Sequence, residues 1–301
     1  MAETTDMYAT AFRITFDCAS ALRTLTDVLD NMLDVVEFHV VKGAAYEGVT
    51  VEAVDSKQIS LIGGQLRAAV EMEGSQRTVF CVSAKTFHTC IRNCPNHFTV
   101  DISSAARSST VEIKMYETLS NTAQTRFTLP TLVADGPHGA MEDQEYKIHI
   151  DMDTAVFKGI VRMCLSLGGE SLQFVVRQLD ATSLSKRART DQKHTVLTIS
   201  SNGGGSCEQE HTFYSVSQEH DGMSTVSACD ELSGGIPADC ELEETYRESF
   251  GAKHLADFLK SIDRQTVRIR LREGLPLVVH HAFGAEDSYV CLVVAPQVCE
   301  E

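Results

Sequence analysis

Apolar residues recur at two spacings along this chain, and the alternation between those spacings restricts the fold more than any single motif does. Three segments place them at i, i+3, i+4 and i+7: Phe87, Cys90, Ile91, Cys94; Phe157, Ile160, Val161, Cys164; and Leu255, Phe258, Leu259, Ile262. A fourth, Leu22, Leu25, Val28, Leu29 and Met32, comes close to the same pattern. That spacing follows the α-helical period, so each segment reads as a short amphipathic helix with one buried face. Around them lie stretches that alternate every second residue: AFRITF, GVTVEAV, HFTVDIS, TVEIKMYE, TRFTL, YKIHIDM, SLQFVV, TVLTIS, HTFYSVS, TVRIRL, LPLVVHHAF and YVCLVV. These read as half-buried strands. Many short strands around few helices predict an α+β chain, with antiparallel sheets and helices on one face.

The order strand, helix, several strands, helix, several strands occurs twice, which predicts two similar domains, 1–127 and 144–301. Between them residues 128–143 (TLPTLVADGPHGAMED) lose the alternation and gain Pro130, Gly136, Pro137 and Gly139, as a connector does. Two polar stretches in the second half, near 183–193 and 217–239, read as inserted surface loops.

The 301 residues suffice for two such domains, and no apolar run is long enough to span a bilayer. The polar opening lacks the pattern of a secretory leader, so neither export nor membrane attachment is expected, and the ten cysteines read as reduced thiols. With 26 Lys+Arg against 42 Asp+Glu, the formal charge is −16. Such a chain does not coat nucleic acid by bulk attraction unless its basic residues gather on one surface.

The cluster AKTFHTCIRNCPNH (84–97) holds two histidines and two cysteines, a composition that suggests zinc. On a helix, however, Cys90 and Cys94 lie about 40° apart on the face of Phe87 and Ile91, whereas His88 points roughly 200° away from Cys90. One tetrahedral shell cannot collect them, so no metal is expected. The opposite face is basic: Lys85, His88 and Arg92 here, Lys158 and Arg162 on the third helical segment, Lys253 and Lys260 on the fourth. The first segment offers Arg23 but also Asp27 and Asp30.

In order and spacing the sequence resembles the sliding clamps of the proliferating cell nuclear antigen family. The stretches that carry the resemblance are VDSKQISL (54–61), DQEYKIHI (143–150), FKGIVRMCLSLG (157–168), LPLVV (275–279) and the pair Ala295-Pro296. It covers nearly the whole chain apart from the first ten residues and the two inserted loops. The resemblance implies the DNA clamp (processivity) fold: two similar domains, each with antiparallel sheets outside and two helices inside, and three chains closing head to tail into a ring. It implies a non-enzymatic factor without cofactor that encircles double-stranded DNA and serves a polymerase, and that is placed on DNA by a clamp loader. The expected compartment is a nucleus or a viral replication site.

On this resemblance Arg23, Lys85, Arg92, Lys158, Arg162, Lys253 and Lys260 face DNA through phosphate contacts that carry no sequence information. Proteins carrying a short hydrophobic motif with glutamine and aromatic anchors would use a pocket made by Val54, Gln58, Ile59, Leu132, Val133, Pro276, Val293, Ala295 and Pro296. TVEIKMYE (110–117) is expected to be the first domain's edge strand, pairing with the next subunit. Arg177 stands where the family carries a modifiable lysine, and KRAR (186–189) offers a nuclear-import motif or a basic insertion.

Two other readings compete. One keeps the fold but makes the chain a checkpoint-type clamp subunit, or a processivity subunit working as monomer or dimer. The other is a Cys/His enzyme built on Ser206, Cys207 and His211. No orienting acid accompanies that trio, and Gly203-Gly204-Gly205 lacks the Lys-Ser/Thr of a phosphate loop and reads as a hairpin turn.

Overall fold

The computed structural model describes residues 11–55, 59–72, 76–117, 123–133, 145–179, 194–203, 207–218, 225–228, 234–235, 245–262, 266–284 and 287–297. The chain divides into two compact units, Met1–Met141 with Ala282–Cys291, and Glu142–His281 with Leu292–Glu301. The carboxy-terminal stretch is thus shared, whereas the sequence suggests that it belongs wholly to the second domain.

The first unit runs β1 (Phe12–Phe16), α1 (Ala19–Met32), β2 (Val35–Lys42), β3 (Glu47–Val54), β4 (Ser60–Arg67), β5 (Ala69–Met72), β6 (Arg77–Ser83), α2 (Ala84–Ile91), β7 (Phe98–Ser104), β8 (Thr110–Glu117) and β9 (Ala123–Pro130). One sheet has the order β5-β1-β7-β8-β9, and β6-β2-β3-β4 form a second antiparallel run. Phe80 stacks on Phe12 and on Phe38 (ring centroids 5.3 and 5.0 Å), and Phe38 meets Phe87 of α2 at 5.1 Å. This chain of rings fixes α2 to strands of both sheets.

The second unit runs β10 (Ile148–Asp153), α3 (Thr154–Ser166), β11 (Ser171–Leu179), β12 (His194–Gly203), β13 (Cys207–Gln218), β14 (Thr225–Ala228), β15 (Gly234–Gly235), β16 (Tyr246–Gly251), α4 (Ala252–Lys260), β17 (Thr266–Leu271) and β18 (Leu277–Ala282). A final strand, β19 (Tyr289–Val294), crosses the division at Cys291. One sheet has the order β14-β13-β12-β11-β16, while β15-β10-β17-β18 form a separate run. Asp153 starts α3 by accepting from the backbone N–H groups of Ala155 and Val156 at 2.8 and 3.0 Å. Phe174 packs edge-on between Phe157 and Phe250, at 6.3 and 5.8 Å.

Several expectations are corrected. TVEIKMYE is not an edge: β8 pairs with β7 on one side and β9 on the other, so β9 is the outermost strand. Thr128, Leu129 and Pro130, read as the start of the connector, are paired with Glu112, Val111 and Thr110. A terminal proline suits an edge, where no ladder donor is needed. The stretch 217–239 is not wholly loop, since β14 pairs with β13 and β15 pairs with β10. Cys94 is buried but lies beyond α2, in a turn closed by its N–H to the carbonyl of Ile91 at 2.9 Å. Burial raises the pKa values of both Cys90 and Cys94, which keeps them thiols. Among the described residues, no group of three or more His, Cys, Asp or Glu side chains is placed to hold a metal.

Candidate functional site

The helices place the basic residues. On α3 and α4 the buried stripe is Phe157, Ile160, Val161 and Cys164, then Leu255, Phe258 and Leu259. Residues on the other face must therefore project outward. Arg162, Lys253 and Lys260 are exposed and Lys158 is half-buried. Lys158, Arg162 and Lys260 converge on a cleft of about 290 Å³ between the two helices, floored by Val161, Ala256 and Leu259, with Asp257 as its one acid. Three cations around one carboxylate leave a positive strip.

The first unit differs. Lys85 on α2 and Arg92 at its C-terminal cap are exposed, but His88 does not share their face. It turns toward α1, its Nδ1 3.2 Å from an Asp27 carboxylate oxygen and its Nε2 4.0 Å from Asp30. Arg23 on α1 is half-buried and donates to the side-chain carbonyl of Asn96 at 2.7 Å and to the backbone carbonyl of Cys94 at 3.3 Å. Both acids and the arginine are thus drawn into the α1–α2 contact, which sequence spacing within one helix does not disclose.

The residues expected to hold a partner motif fall in both units, and each group stands by itself. In the first, Asp55 accepts from the N–H groups of Ile59 and Ser60 at 2.8 and 2.9 Å, which holds Ile59 outward, 40% exposed beside half-buried Val54. Gln58 lies outside the described residues, as do the KRAR insertion and residues 134–144. Leu132 is anchored by its N–H to the carbonyl of Cys81 at 2.8 Å, yet its side chain is exposed, and Val133 is 91% exposed. In the second unit Pro276 accepts from the Tyr146 hydroxyl at 3.2 Å. Ala295 is exposed, and Val293 and Pro296 are half-buried. Pro296 bridges to Phe250, and Gln297 donates to the carbonyl of Ser249 at 2.8 Å, fixing this segment along β16. Solvent-exposed apolar side chains on anchored backbone are what a docking motif needs.

The trio Ser206, Cys207 and His211 gains no support. Gly203 pairs with Cys207 across the β12–β13 hairpin, and residues 204–206 lie outside the described set. His211 approaches the Gln209 amide nitrogen at 2.6 Å, and that amide also donates to the carbonyl of Ile160 at 3.3 Å. Burial pushes the pKa of His211 down. Arg177 is exposed on β11, opposite Val196.

No family model matches the chain. A DNA polymerase sliding clamp of Thermococcus gammatolerans is 21% identical over 292 residues, covering 96% of this chain and 99% of that protein. A DNA polymerase sliding clamp of Thermococcus onnurineus is 21% identical over 290 residues, covering 95% and 98%. The crystal structure of PCNA from Thermococcus kodakaraensis matches with a TM-score of 0.68 at 19% identity, over 95% of this chain and all of that one. This chain has the sliding-clamp fold. Within that PCNA-like fold the basic cleft lies on the helix pair of the second unit, and β9 is the outer strand of the first unit's five-stranded sheet. No helix among the described residues is long and apolar enough to cross a membrane.

Proposed function

We propose that this chain is a DNA sliding clamp: a processivity factor that encircles duplex DNA and tethers a polymerase and other replication or repair proteins to it. The observation that carries the reading is the match to sliding clamps over nearly the whole length of both chains. A closed ring slides without dissociating, so what binds the ring stays with the template. This role asks no bond-making of any side chain. Lys158, Arg162, Lys253 and Lys260, with Lys85 and Arg92, serve as exchangeable phosphate contacts that weaken with salt. The excess of acid elsewhere, in a chain of charge −16, discourages DNA from adhering to other surfaces.

Closure by three head-to-tail copies follows from an open strand edge, for which β9 is the first unit's candidate. Partners with a short hydrophobic motif dock at Ile59, Leu132 and Val133 of the first unit and at Pro276, Val293, Ala295 and Pro296 of the second. A clamp loader places the ring on DNA, in a nucleus or at a viral replication site. Light scattering at near-physiological salt tests the reading, because three copies of the 33.0 kDa chain give about 99 kDa. A mass near that of one chain overturns self-closure and favours a clamp completed by other subunits.

A further inference from the structure

In the second unit, β10, β17 and β18 bury Ile148, Ile150, Val267, Ile269, Leu271, Leu277 and Val279 on one side. The opposite side carries charge in register. Asp151 lies opposite Arg268, which lies opposite His280; in the next row His149 lies opposite Arg270, which lies opposite Val278. Lys147, Arg272 and Pro276 follow at the same end of the three strands.

The acids of this face are already engaged. Asp151 accepts both guanidinium bonds of Arg268, at 2.7 and 2.9 Å, and Asp153 caps α3. Arg272 donates to the carbonyl of Glu145 at 2.7 Å, a neutral partner, and has no carboxylate partner among the described residues. Arg270 has no carboxylate partner among the described residues, and its Nε is buried without an acceptor. A half-buried guanidinium without a carboxylate partner is stabilised by an incoming anion. The local field is visible in His280, whose pKa is pushed down to about 4 by burial first and then by Arg270, Arg268 and His281, with Asp151 opposing.

We infer that this face binds acidic residues flanking the hydrophobic motif of a partner protein, a carboxylate pairing with Arg270 while the apolar anchors sit beside Pro276. The inference rests on the clamp reading and adds a specificity to it: this chain selects partners by negative charge. Half-buried Pro276 near Arg272, with Arg270 on the same face, matches a short motif that is part hydrophobic and part acidic. A duplex fits less well, because Asp151 and Asp153 stand on the same face and the cations are too few for a continuous phosphate track.

Fluorescence anisotropy on the full chain tests this with three labelled peptides that share one glutamine-and-aromatic core and carry aspartate, serine or lysine flanks. The aspartate peptide is expected to bind about tenfold tighter than the serine peptide, with the ratio shrinking as salt rises. Arg270→Gln should remove the preference, Arg270→Glu reverse it and Arg270→Lys keep it. The ratio within one variant does not depend on how much of that variant is folded. Equal binding of the three peptides, or an unchanged ratio in Arg270→Glu, overturns the inference and leaves the clamp reading standing. Failure of every peptide to bind overturns the docking site along with it. Displacement of the aspartate peptide by short duplex DNA shows a phosphate site instead and overturns the choice of partner.

Discussion

Arg23 and Asn96, 73 residues apart in sequence, meet at 2.7 Å, so that the guanidinium of α1 clasps the turn that follows α2. The bond gives Arg23 a structural task at the helix contact, and its half-buried position leaves less of its charge for a ligand. Arg23→Ala removes this bond and the one to the Cys94 carbonyl, and should lower stability by about 1 kcal/mol in urea titration. The slope of log affinity for DNA against log salt should stay as in the parent, since no phosphate contact is lost. A shallower slope would return Arg23 to the DNA-facing set.

Lys158, Arg162 and Lys260 surround one cleft, and their effects on DNA should be collective. Reversing all three to glutamate is expected to reduce clamp-dependent synthesis by tenfold or more, roughly the cost of several phosphate contacts. The solution mass should not change, because none of the three lies on a strand edge. Synthesis at the parent rate in this triple variant would remove these side chains from the DNA-facing set.

Most of this was legible from the sequence, and the exceptions have physical causes. α2, α3 and α4 stand where the i, i+3, i+4 pattern puts them. β6 is absent from the strands read in the sequence because both its faces are buried and RTVFCVS carries an apolar run where a half-exposed strand would alternate. β8 reads as an edge in the sequence because the strand that covers it, AQTRFTLP, ends in a proline and runs into residues with the composition of a linker. The pull of Asp27 on His88 and the row Asp151–Arg268–His280 depend on register between distant segments, and no local pattern encodes register.

If β9 pairs with a neighbouring copy, proline substitution along it should alternate in effect. Successive N–H groups of a strand point to opposite sides, one toward β8 and the next toward the open edge. Among Arg126, Phe127 and Thr128, proline at an outward position is expected to lower the mass to that of one chain while leaving the melting temperature near the parent's. Proline at an inward position should lower the melting temperature by breaking the hairpin with β8. Light scattering and thermal melts on the three variants check this, and a uniform response would place the assembly edge elsewhere.

Phe174 is fully buried between Phe157 and Phe250, joining α3, β11 and β16. Phe174→Ala opens a cavity at the centre of the second unit and should cost about 3–5 kcal/mol. The loss is read as a lower urea midpoint. Phe174→Leu retains most of the volume and should recover more than half of that loss.

His280 predicts how stability depends on pH. In the fold its pKa drops from the ordinary 6.5 to about 4, chiefly through burial and then through the Arg270 and Arg268 charges. The unfolded chain therefore binds the proton first as pH falls, and stability is lost between about pH 6.5 and pH 4. Above that window both states hold a neutral imidazole and the contribution is flat. His280→Gln keeps a polar side chain without the titration, so its urea midpoint should decline less steeply than the parent's over this range, with the two curves running parallel above pH 7. Carboxylates that titrate at lower pH are common to both proteins and cancel in the difference. Parallel curves through the whole range would mean that His280 takes up its proton in the folded chain as readily as in the unfolded one, which the neighbouring Arg268 and Arg270 should prevent.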